Sequence, residues 1–333
     1  MFEADGTDLL GVPYERFVLD CGRDAQGPLI ATLVRRRPDH GDGRRAVLML
    51  GGLGDYFFQT HVADHLAAGG WGVYGLDVRR YGRSLLPHQT PNFCRSLTEY
   101  YPELDAAVAR MTADGAREIV LWGHSTGGLI GSLWAADRPG VPVAGAFLNS
   151  PFLDFALPWV LRRPAMAAVS AVARLAPHAV MPHPTSDAFA VATHATLGGE
   201  WSYDLALKPA RGHPIRLGWL AAIRDAHRRV RRGLGLRMPV LVGSSDRSFD
   251  WVSGPREDIH RTDIVLDVAH IRRWGAALGT HVTLVRFPGA LHDLTLSGPD
   301  VRAAVLRRFD QWAGSHIRRD APRRNLNDSN LVP

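Results

Sequence analysis

One serine of this chain stands at a predicted strand-to-helix turn. The apolar run Ile119–Trp122 has the length of a buried strand, and residues 128–136 have the composition of a buried helix. Between them lies Gly123-His124-Ser125-Thr126-Gly127, the G-x-S-x-G pattern of a nucleophile elbow. Because a strand that turns at once into a helix crowds its own backbone, only glycine fits two residues on either side of the serine. The pattern therefore predicts a serine hydroxyl held clear of a sheet, beside a helix N-terminus that stabilises negative charge.

Predicted strands and helices alternate along most of the chain. Two early strands, Tyr14–Leu19 and Leu29–Val34, form a leading hairpin. The strands predicted after them are 46–50, 72–76, 119–122, 143–148, 239–243 and 282–286, and the helices besides the one after the serine are 58–68, 104–111, 264–278 and 301–312. Such alternation is typical of an α/β fold with a mostly parallel central sheet flanked by helices.

The alternation is interrupted once. From about residue 151 to 233, prolines, tryptophans, histidines and arginines accumulate in short helical pieces, and the strand-helix pattern then returns. The economical interpretation is an insertion into one sheet, with residues 1–155 and 233–314 as two parts of the core and 156–232 as a helical cap, or lid. The polar residues 315–333 are expected to form a disordered tail.

Composition narrows the class of protein. With 333 residues and 46% hydrophobic content, the chain can bury a large core. Its formal charge of +6 comes from arginines spread among 33 acidic residues, so no concentrated basic face predicts nucleic-acid binding. No stretch reaches the roughly 18 apolar residues of a membrane span, and Cys21 and Cys94 have no disulfide or metal spacing. A soluble, cytoplasmic protein is expected, and its oligomeric state stays open.

A serine nucleophile needs a histidine base and a carboxylate that orients the histidine. In a parallel sheet these groups follow the carboxyl ends of strands. His292 follows the last predicted strand and Asp246 follows the one before it, which gives the chain order Ser, Asp, His. Other acids stay open as the partner of the histidine, ranked after Asp246: first Asp154, and then Asp263 and Asp267. Asp267 also has the position of a charge that favours a helix N-terminus.

The loop Gly51-Gly52-Leu53-Gly54 follows an early predicted strand. Its glycines allow the backbone to approach the serine closely. An oxyanion hole takes one amide from the residue after the nucleophile and another from such a loop. The backbone amides of Thr126 and Leu53 are therefore the expected donors.

Taken in order, these motifs resemble the α/β-hydrolases of the monoacylglycerol lipase and lysophospholipase-like group, also called the serine aminopeptidase S33 type. The resemblance extends to Trp312 and includes a D-x-R-x-x-G-x-S turn at Asp77–Ser84, the acid loop Ser245-Asp246-Arg247 and the histidine loop 289–294. One departure is Gly51-Gly52, where the family commonly has His-Gly. The resemblance implies an α/β-hydrolase fold with an inserted helical cap, which is the variable part of the family.

The resemblance also implies a serine hydrolase that needs no cofactor or metal. It would cleave a small or lipid-like ester, such as a lysophospholipid or a monoacylglycerol, through an acyl-enzyme on Ser125. A thioesterase, an acyltransferase or an aminopeptidase would use the same three residues, and a non-catalytic ligand-binding protein is the alternative of another class. An apolar cap could touch a membrane surface while loading a lipid. Candidates for the substrate pocket are the aromatic residues Tyr56, Phe57, Phe152, Trp201, Tyr203 and Trp219.

Overall fold

The computed structural model describes residues 1–155, 167, 169–181 and 186–317, and this part of the chain contains a nine-stranded sheet. In chain order, the strands are β1 (Glu3–Thr7), β2 (Tyr14–Asp24), β3 (Gly27–Arg36), β4 (Arg45–Leu50), β5 (Gly72–Asp77), β6 (Glu118–His124), β7 (Val143–Asn149), β8 (Val240–Ser245) and β9 (Val282–Phe287). The helices are α1 (Thr60–Ala68), α2 (Tyr101–Ala113), α3 (Thr126–Asp137), α4 (residues 169–175), α5 (Ala188–Thr193), α6 (Leu217–Val230), α7 (Val268–Gly275) and α8 (Pro299–His316).

The strands lie in the order β1-β2-β3-β5-β4-β6-β7-β8-β9. Strands β1 to β3 form an antiparallel meander, and β3 pairs antiparallel with β5. Every neighbouring pair from β5 across to β9 is parallel. The expected α/β sheet, mostly parallel with a leading hairpin, is confirmed. Because the carboxyl ends of parallel strands share one edge, the loops after β4, β6, β8 and β9 meet there.

Two apolar layers cover the faces of the sheet. Successive side chains of a strand point to opposite faces, so one strand contributes to both layers. In β4, Leu48 and Leu50 join a cluster with residues of α2 and α3, whereas Val47 and Met49 join a second cluster with residues of α1 and α8. These four side chains are at most 6% exposed. A strand buried on both faces is a continuous apolar run, which is why this strand is recognisable in the sequence.

Among the described helices, none combines the length and apolar composition that a membrane crossing requires.

The predicted helix 264–278 is shorter in the structure. Helix α7 begins at Val268, because Asp263 accepts hydrogen bonds from two of the amides that follow it and forms a turn there. Asp267 then caps α7 by accepting from an amide of the first turn. Carboxylates that bind nearby amides compete with helix formation, so the helix starts later than the periodicity predicts.

Helices α4, α5 and α6 lie in the stretch between β7 and β8, where the cap is predicted. Helix α6 is amphipathic and buries Trp219, Ile223 and Val230 in the cluster that α2 and α3 share. The stretch between β7 and β8 is therefore packed on the sheet through α6. Residues 156–166, 168 and 182–185 of the predicted cap lie outside the described residues.

The packed core extends slightly beyond the predicted start of the tail at residue 315. Helix α8 runs to His316, and Ile317 is 4% exposed in the cluster of α1 and α8. The remainder of the predicted tail, residues 318–333, lies outside the described part of the chain.

A buried ion network holds the turn after β5. The Arg83 guanidinium donates to both carboxylate oxygens of Asp8 at 2.7 Å and to Asp77 Oδ2 at 2.9 Å. All three side chains are at most 4% exposed. Burial raises the pKa of Asp77, while the Arg83 charge opposes that shift. Since Asp77 Oδ1 also accepts from the amide of Phe57 at 2.8 Å, the network fixes the backbone that follows the glycine loop 51–54.

Replacing Arg83 with methionine removes the charge that balances Asp8 and Asp77. Because two carboxylates then stay buried without their partner, we expect the free energy of unfolding to fall by about 3–5 kcal/mol. Urea unfolding measures the loss. Arg16→Met is the control, because the Arg16–Asp5 pair has side chains 36% and 50% exposed and such pairs contribute less than about 1 kcal/mol. Equal losses in the two variants would contradict this role of the network.

Candidate active site

Ser125 occupies the tight turn that joins β6 to α3. Its φ is positive at 51°, with ψ at −117°, which is a strained conformation for a residue with a side chain. A Cβ on Gly123 would lie 2.5 Å from Gly128 Cα, and a Cβ on Gly127 would lie 2.4 Å from the carbonyl oxygen of Gly51. Both contacts are too short for any Cβ, so both positions require glycine. The elbow is thereby packed directly against the loop after β4.

Ser125, His292 and Asp263 form a continuous hydrogen-bonded chain. Ser125 Oγ lies 3.0 Å from His292 Nε2, and His292 Nδ1 lies 2.9 Å from Asp263 Oδ2. The three residues are 7%, 3% and 1% exposed, respectively. Because an ionised carboxylate only accepts, it keeps the imidazole proton on Nδ1 and leaves Nε2 free to accept from the serine hydroxyl. This is the geometry in which a histidine acts as the base for a serine nucleophile.

The carboxylate beside His292 belongs to Asp263, which corrects the expectation that Asp246 orients the histidine. Asp246 does follow β8 directly, but its Oδ1 accepts from the amide of Gly289 at 3.1 Å. This bond joins the loop after β8 to the loop after β9. Asp263 lies further along the loop, where its backbone forms a bridge with Ser248. Its Oδ1 is bound by amides of the turn before α7, so Oδ2 is left for the histidine.

The other two aspartates considered for this role are engaged elsewhere. Asp154 accepts from Arg231 and from the indole of Trp274, both at 3.0 Å. Asp267 is the cap of α7. Ranking the acids by the strand that precedes them therefore gave the wrong order. The usable signal for Asp263 is its place just before a helix, where an aspartate closes a turn with its own side chain.

The loop after β4 lies against Ser125. A Cβ on Gly52 would lie 3.2 Å from Ser125 Cβ and 3.1 Å from the ring of His124, so the loop comes this close only because Gly52 has no side chain. Within the described residues, neither the amide of Leu53 nor that of Thr126 donates a hydrogen bond to a protein acceptor. Two amides near the serine are thus free to bind another oxygen atom.

The six aromatic residues predicted to line a pocket lie in three different clusters. Phe57 is a core residue whose ring covers Gly75 of β5, where a Cβ would come within 2.1 Å of it. Phe152 stacks on Trp219, with ring centroids 6.5 Å apart, at the edge of the α2 and α3 cluster. The other three surround Phe58 in a small separate cluster: Tyr56, Trp201 and Tyr203. All contacts described for the six are made within the protein. Tyr56 Oη accepts from the amide of Asp204, Trp201 Nε1 donates to the carbonyl oxygen of Leu296, and the hydroxyl of Tyr203 pairs with that of Thr193.

One buried acid beside the base was not singled out from the sequence. Asp293 follows His292 and accepts from Asn149 Nδ2 and Thr295 Oγ1, each at 2.7 Å. Burial opposes its ionisation, but the neighbouring His124, the hydrogen bonds and a nearby lysine outweigh burial and lower the pKa of Asp293 to about 2. The ionised Asp293 therefore holds the histidine loop to the carboxyl end of β7. The sequence signals are a polar residue next to the base and an asparagine at a strand end.

The parallel sheet, the elbow after β6 and the hydrogen-bonded Ser125, His292 and Asp263 define a serine hydrolase with the α/β-hydrolase fold. The model of the serine aminopeptidase S33 family matches residues 41–299. This range includes the elbow, the glycine loop and both loops that supply the histidine and its acid, so the chain belongs to this family. Comparison with curated proteins gives no match.

Solved structures with the same fold include lipases and an esterase. A soluble variant of monoglyceride lipase from Saccharomyces cerevisiae, in complex with a substrate analogue, has a TM-score of 0.67 and 16% identity over 89% of this chain and 94% of that one. The monoacylglycerol lipase of Paleococcus ferrophilus has a TM-score of 0.62 and 20% identity, over 85% and 99%. A carboxyl esterase from Bacillus coagulans has a TM-score of 0.63 and 12% identity, over 91% and 99%. The predicted α/β-hydrolase fold is confirmed.

Gly127→Ala tests the contact between the elbow and the loop after β4. Its Cβ would meet the carbonyl oxygen of Gly51 at 2.4 Å, so the backbone must shift, and we expect the free energy of unfolding to fall by about 1–3 kcal/mol. Gly131→Ala on the same helix is the matched control. Its Cβ would meet only the side chains of Leu50, at 3.2 Å, and Leu121, at 3.8 Å, and alanine favours a helix by about 1 kcal/mol over glycine.

Chemical unfolding compares the two glycine variants. If the variant at position 127 were as stable as the variant at position 131, the close contact would not constrain the elbow.

Proposed function

We propose that this protein cleaves a carboxylic ester through an acyl-enzyme on Ser125. The observation that carries the proposal is the hydrogen-bonded chain from Asp263 through His292 to Ser125 Oγ. A serine hydroxyl is a poor nucleophile at neutral pH, and a histidine that accepts its proton is the usual means of activating it. The carboxylate partner holds the imidazole in the required tautomer and stabilises the imidazolium that forms.

In the proposed reaction, Ser125 Oγ attacks the acyl carbon while His292 Nε2 takes the hydroxyl proton. The amides of Leu53 and Thr126 bind the oxyanion of the tetrahedral intermediate, and each such donor is worth about 2.7–4 kcal/mol. His292 returns the proton to the leaving alcohol as the ester bond breaks. A water molecule, deprotonated by the same histidine, then attacks the acyl carbon, and the acid is released as Ser125 regains its proton.

The substrate class proposed is a small or lipid-like ester, such as a monoacylglycerol or a lysophospholipid. Monoglyceride lipase and carboxyl esterase structures with the same fold support an ester substrate. The family name supports a second candidate, hydrolysis of an aminoacyl amide by the same three residues. Thioester hydrolysis and acyl transfer use the same acyl-enzyme and differ only in the leaving group or the acceptor.

The insertion between β7 and β8 is proposed to cap this site. Support comes from α5, whose Phe189 ring lies edge-on to the ring of His292 with centroids 6.3 Å apart. A cap of apolar helices would admit an acyl chain and would touch a membrane surface only transiently.

The two free thiols, Cys21 and Cys94, are in keeping with a reducing compartment, and we place the enzyme in the cytoplasm.

Two substitutions separate the candidate acids. Asp263→Asn removes the acceptor of the Nδ1 proton, and we expect kcat for a p-nitrophenyl ester to fall about 10³–10⁴-fold, as with asparagine at the equivalent place in other triads. Asp246→Asn keeps an acceptor for the amide of Gly289 and is expected to retain most of the activity. Ser125→Ala, checked for its fold by circular dichroism, sets the background rate. A larger loss at Asp246 than at Asp263 would contradict the assigned roles.

A fluorophosphonate probe and a substrate panel test the reaction class. We expect the probe to label Ser125, because the activated oxygen attacks phosphorus as it attacks an acyl carbon. The panel contains esters of graded acyl length, a thioester and an aminoacyl anilide, and esters are expected to give the highest kcat/KM. An unlabelled serine would favour a ligand-binding protein, and a preference for the anilide would favour the aminopeptidase.

A further inference from the structure

Lys208, the single lysine of the chain, is buried beside the loop after β4. The residue is 8% exposed, and its Nζ lies 2.8 Å from Asp55 Oδ1. Its ammonium also lies over three aromatic rings, 4.9 Å from the centroid of Phe58, 5.0 Å from that of Phe189 and 5.2 Å from that of Tyr203. A buried ammonium is costly unless it is paired, so this placement requires the carboxylate beside it.

The lysine belongs to a group of four buried ionisable residues, called here the charge cluster: Asp55, His124, Lys208 and Asp293. One side-chain ligand atom from each of Asp55, His124 and Asp293 lies within 4.8 Å of the others. Asp55 Oδ2 is buried without a hydrogen-bond partner. Three converging acceptors favour a cation. The ammonium of Lys208 supplies that charge, since it binds Asp55 directly and helps to lower the pKa of Asp293.

The imidazole of the charge cluster belongs to His124. Burial lowers its pKa, and its Nδ1 lies 3.2 Å from the carbonyl oxygen of Asn149, to which it donates. The other members are two carboxylates, Asp55 and Asp293, and one ammonium, that of Lys208. Removing the positive charge would leave two carboxylates uncompensated in a buried region, where electrostatic effects are stronger than in water.

Three members of the charge cluster come from the core. In the sequence, each of them lies next to or close to a group that takes part in the proposed reaction. Asp55 directly follows the glycine loop that carries the amide of Leu53, His124 precedes Ser125, and Asp293 follows His292. A Cβ on Gly51 would lie 3.2 Å from Asp55 Cβ, so the carboxylate packs on its own loop. A displaced Asp55 would therefore displace the loop.

Lys208 is the member that comes from the insertion, and it is fixed there by neighbouring bonds. The amide of Asp204 donates to Tyr56 Oη at 2.8 Å, and the amide of Lys208 donates to the carbonyl oxygen of Asp204 at 2.9 Å. Two consecutive residues after the glycine loop, Asp55 and Tyr56, thus hold one segment of the insertion. Phe189 adds a further link, because its ring contacts both the Lys208 ammonium and the ring of His292.

We infer that Lys208 is a positioning residue for the reaction at Ser125, where its ammonium anchors Asp55 at the end of the oxyanion loop and balances the negative charge beside the catalytic histidine. This inference rests on the proposed function. Activity needs a neutral His292 and therefore increases as pH rises through the acid limb of the kcat/KM profile. The charged or titratable groups that face His292 are Asp263 on Nδ1, Ser125 on Nε2, His124 at a ring distance of 4.8 Å, and the adjoining Asp293, with Lys208 and Asp55 behind them.

The test is whether variants of Lys208 and of Asp55 shift the acid limb of the kcat/KM profile in opposite directions. Lys208→Met leaves excess negative charge that stabilises the imidazolium, so the limb should move to higher pH by about 0.5–1 unit. Asp55→Asn leaves excess positive charge, so the limb should move to lower pH by a similar amount. The double variant removes one charge of each sign and should return the limb to its original position. If Lys208 and Asp55 had purely structural roles, their variants would not shift the acid limb in opposite directions.

The same variants separate positioning from substrate binding. With Asp55 released, the oxyanion loop is less well held, and we expect Lys208→Met to lower kcat about tenfold with little change in KM. Arg211→Met, at an exposed position of the same segment, is the control and should change neither the limb nor kcat.

Unchanged limbs in both single variants, or shifts in the same direction, would overturn the inference. If Lys208→Met does not fold, the Asp55→Asn limb decides the matter, because an unchanged or raised midpoint contradicts the charge balance. The pH profile of fluorophosphonate labelling gives the same readout without any ester. If the protein labels at Ser125 but hydrolyses no ester, the substrate proposal fails and the role of Lys208 is still decided.

Discussion

The positive φ of Ser125 is the constraint on which the active site depends. A side chain is held in this conformation only because the backbones on both sides are packed without room for a Cβ, at Gly123 against α3 and at Gly127 against the glycine loop. The strain is sustained by β6, which is buried between parallel neighbours on either side. The same packing brings Gly52 against the serine, so Ser125 and the glycine loop are placed by a single set of contacts.

Buried charges hold the loops that surround this turn. Loops at the carboxyl edge of a parallel sheet carry polar groups, and each buried charge needs a partner or a set of hydrogen bonds. Arg83 with Asp8 and Asp77 fixes the backbone after the glycine loop, and Asp293 with Asn149 fixes the histidine loop. The charge cluster joins these loops to the insertion. In such an arrangement the charges that stabilise the loops also lie close to His292.

The sheet and the position of Ser125 at the turn after β6 were predictable from local patterns. Parallel strands buried on both faces are uninterrupted apolar runs in the sequence, as at residues 46–50 and 119–122. The helices that flank them have apolar residues with a period of 3.6, so both kinds of element are recognisable. His292 was predictable because it follows the last strand. Asp263 was not, because it lies in the long loop after β8, and the path of that loop is set by a bridge to Ser248 and by a turn that Asp263 closes itself. Strand position alone favoured Asp246, which is closer to the strand end.

By itself the sequence determined the α/β class, the serine at the elbow, the histidine after the last strand and the glycine loop, since each depends on a pattern within a few neighbouring residues. Only the tertiary structure decided which aspartate orients the histidine, and that the single lysine balances carboxylates near the site. The bond between Lys208 and Asp55 joins residues separated by 153 positions. Contacts at such separations depend on how loops cross the edge of the sheet, and no local periodicity records that path.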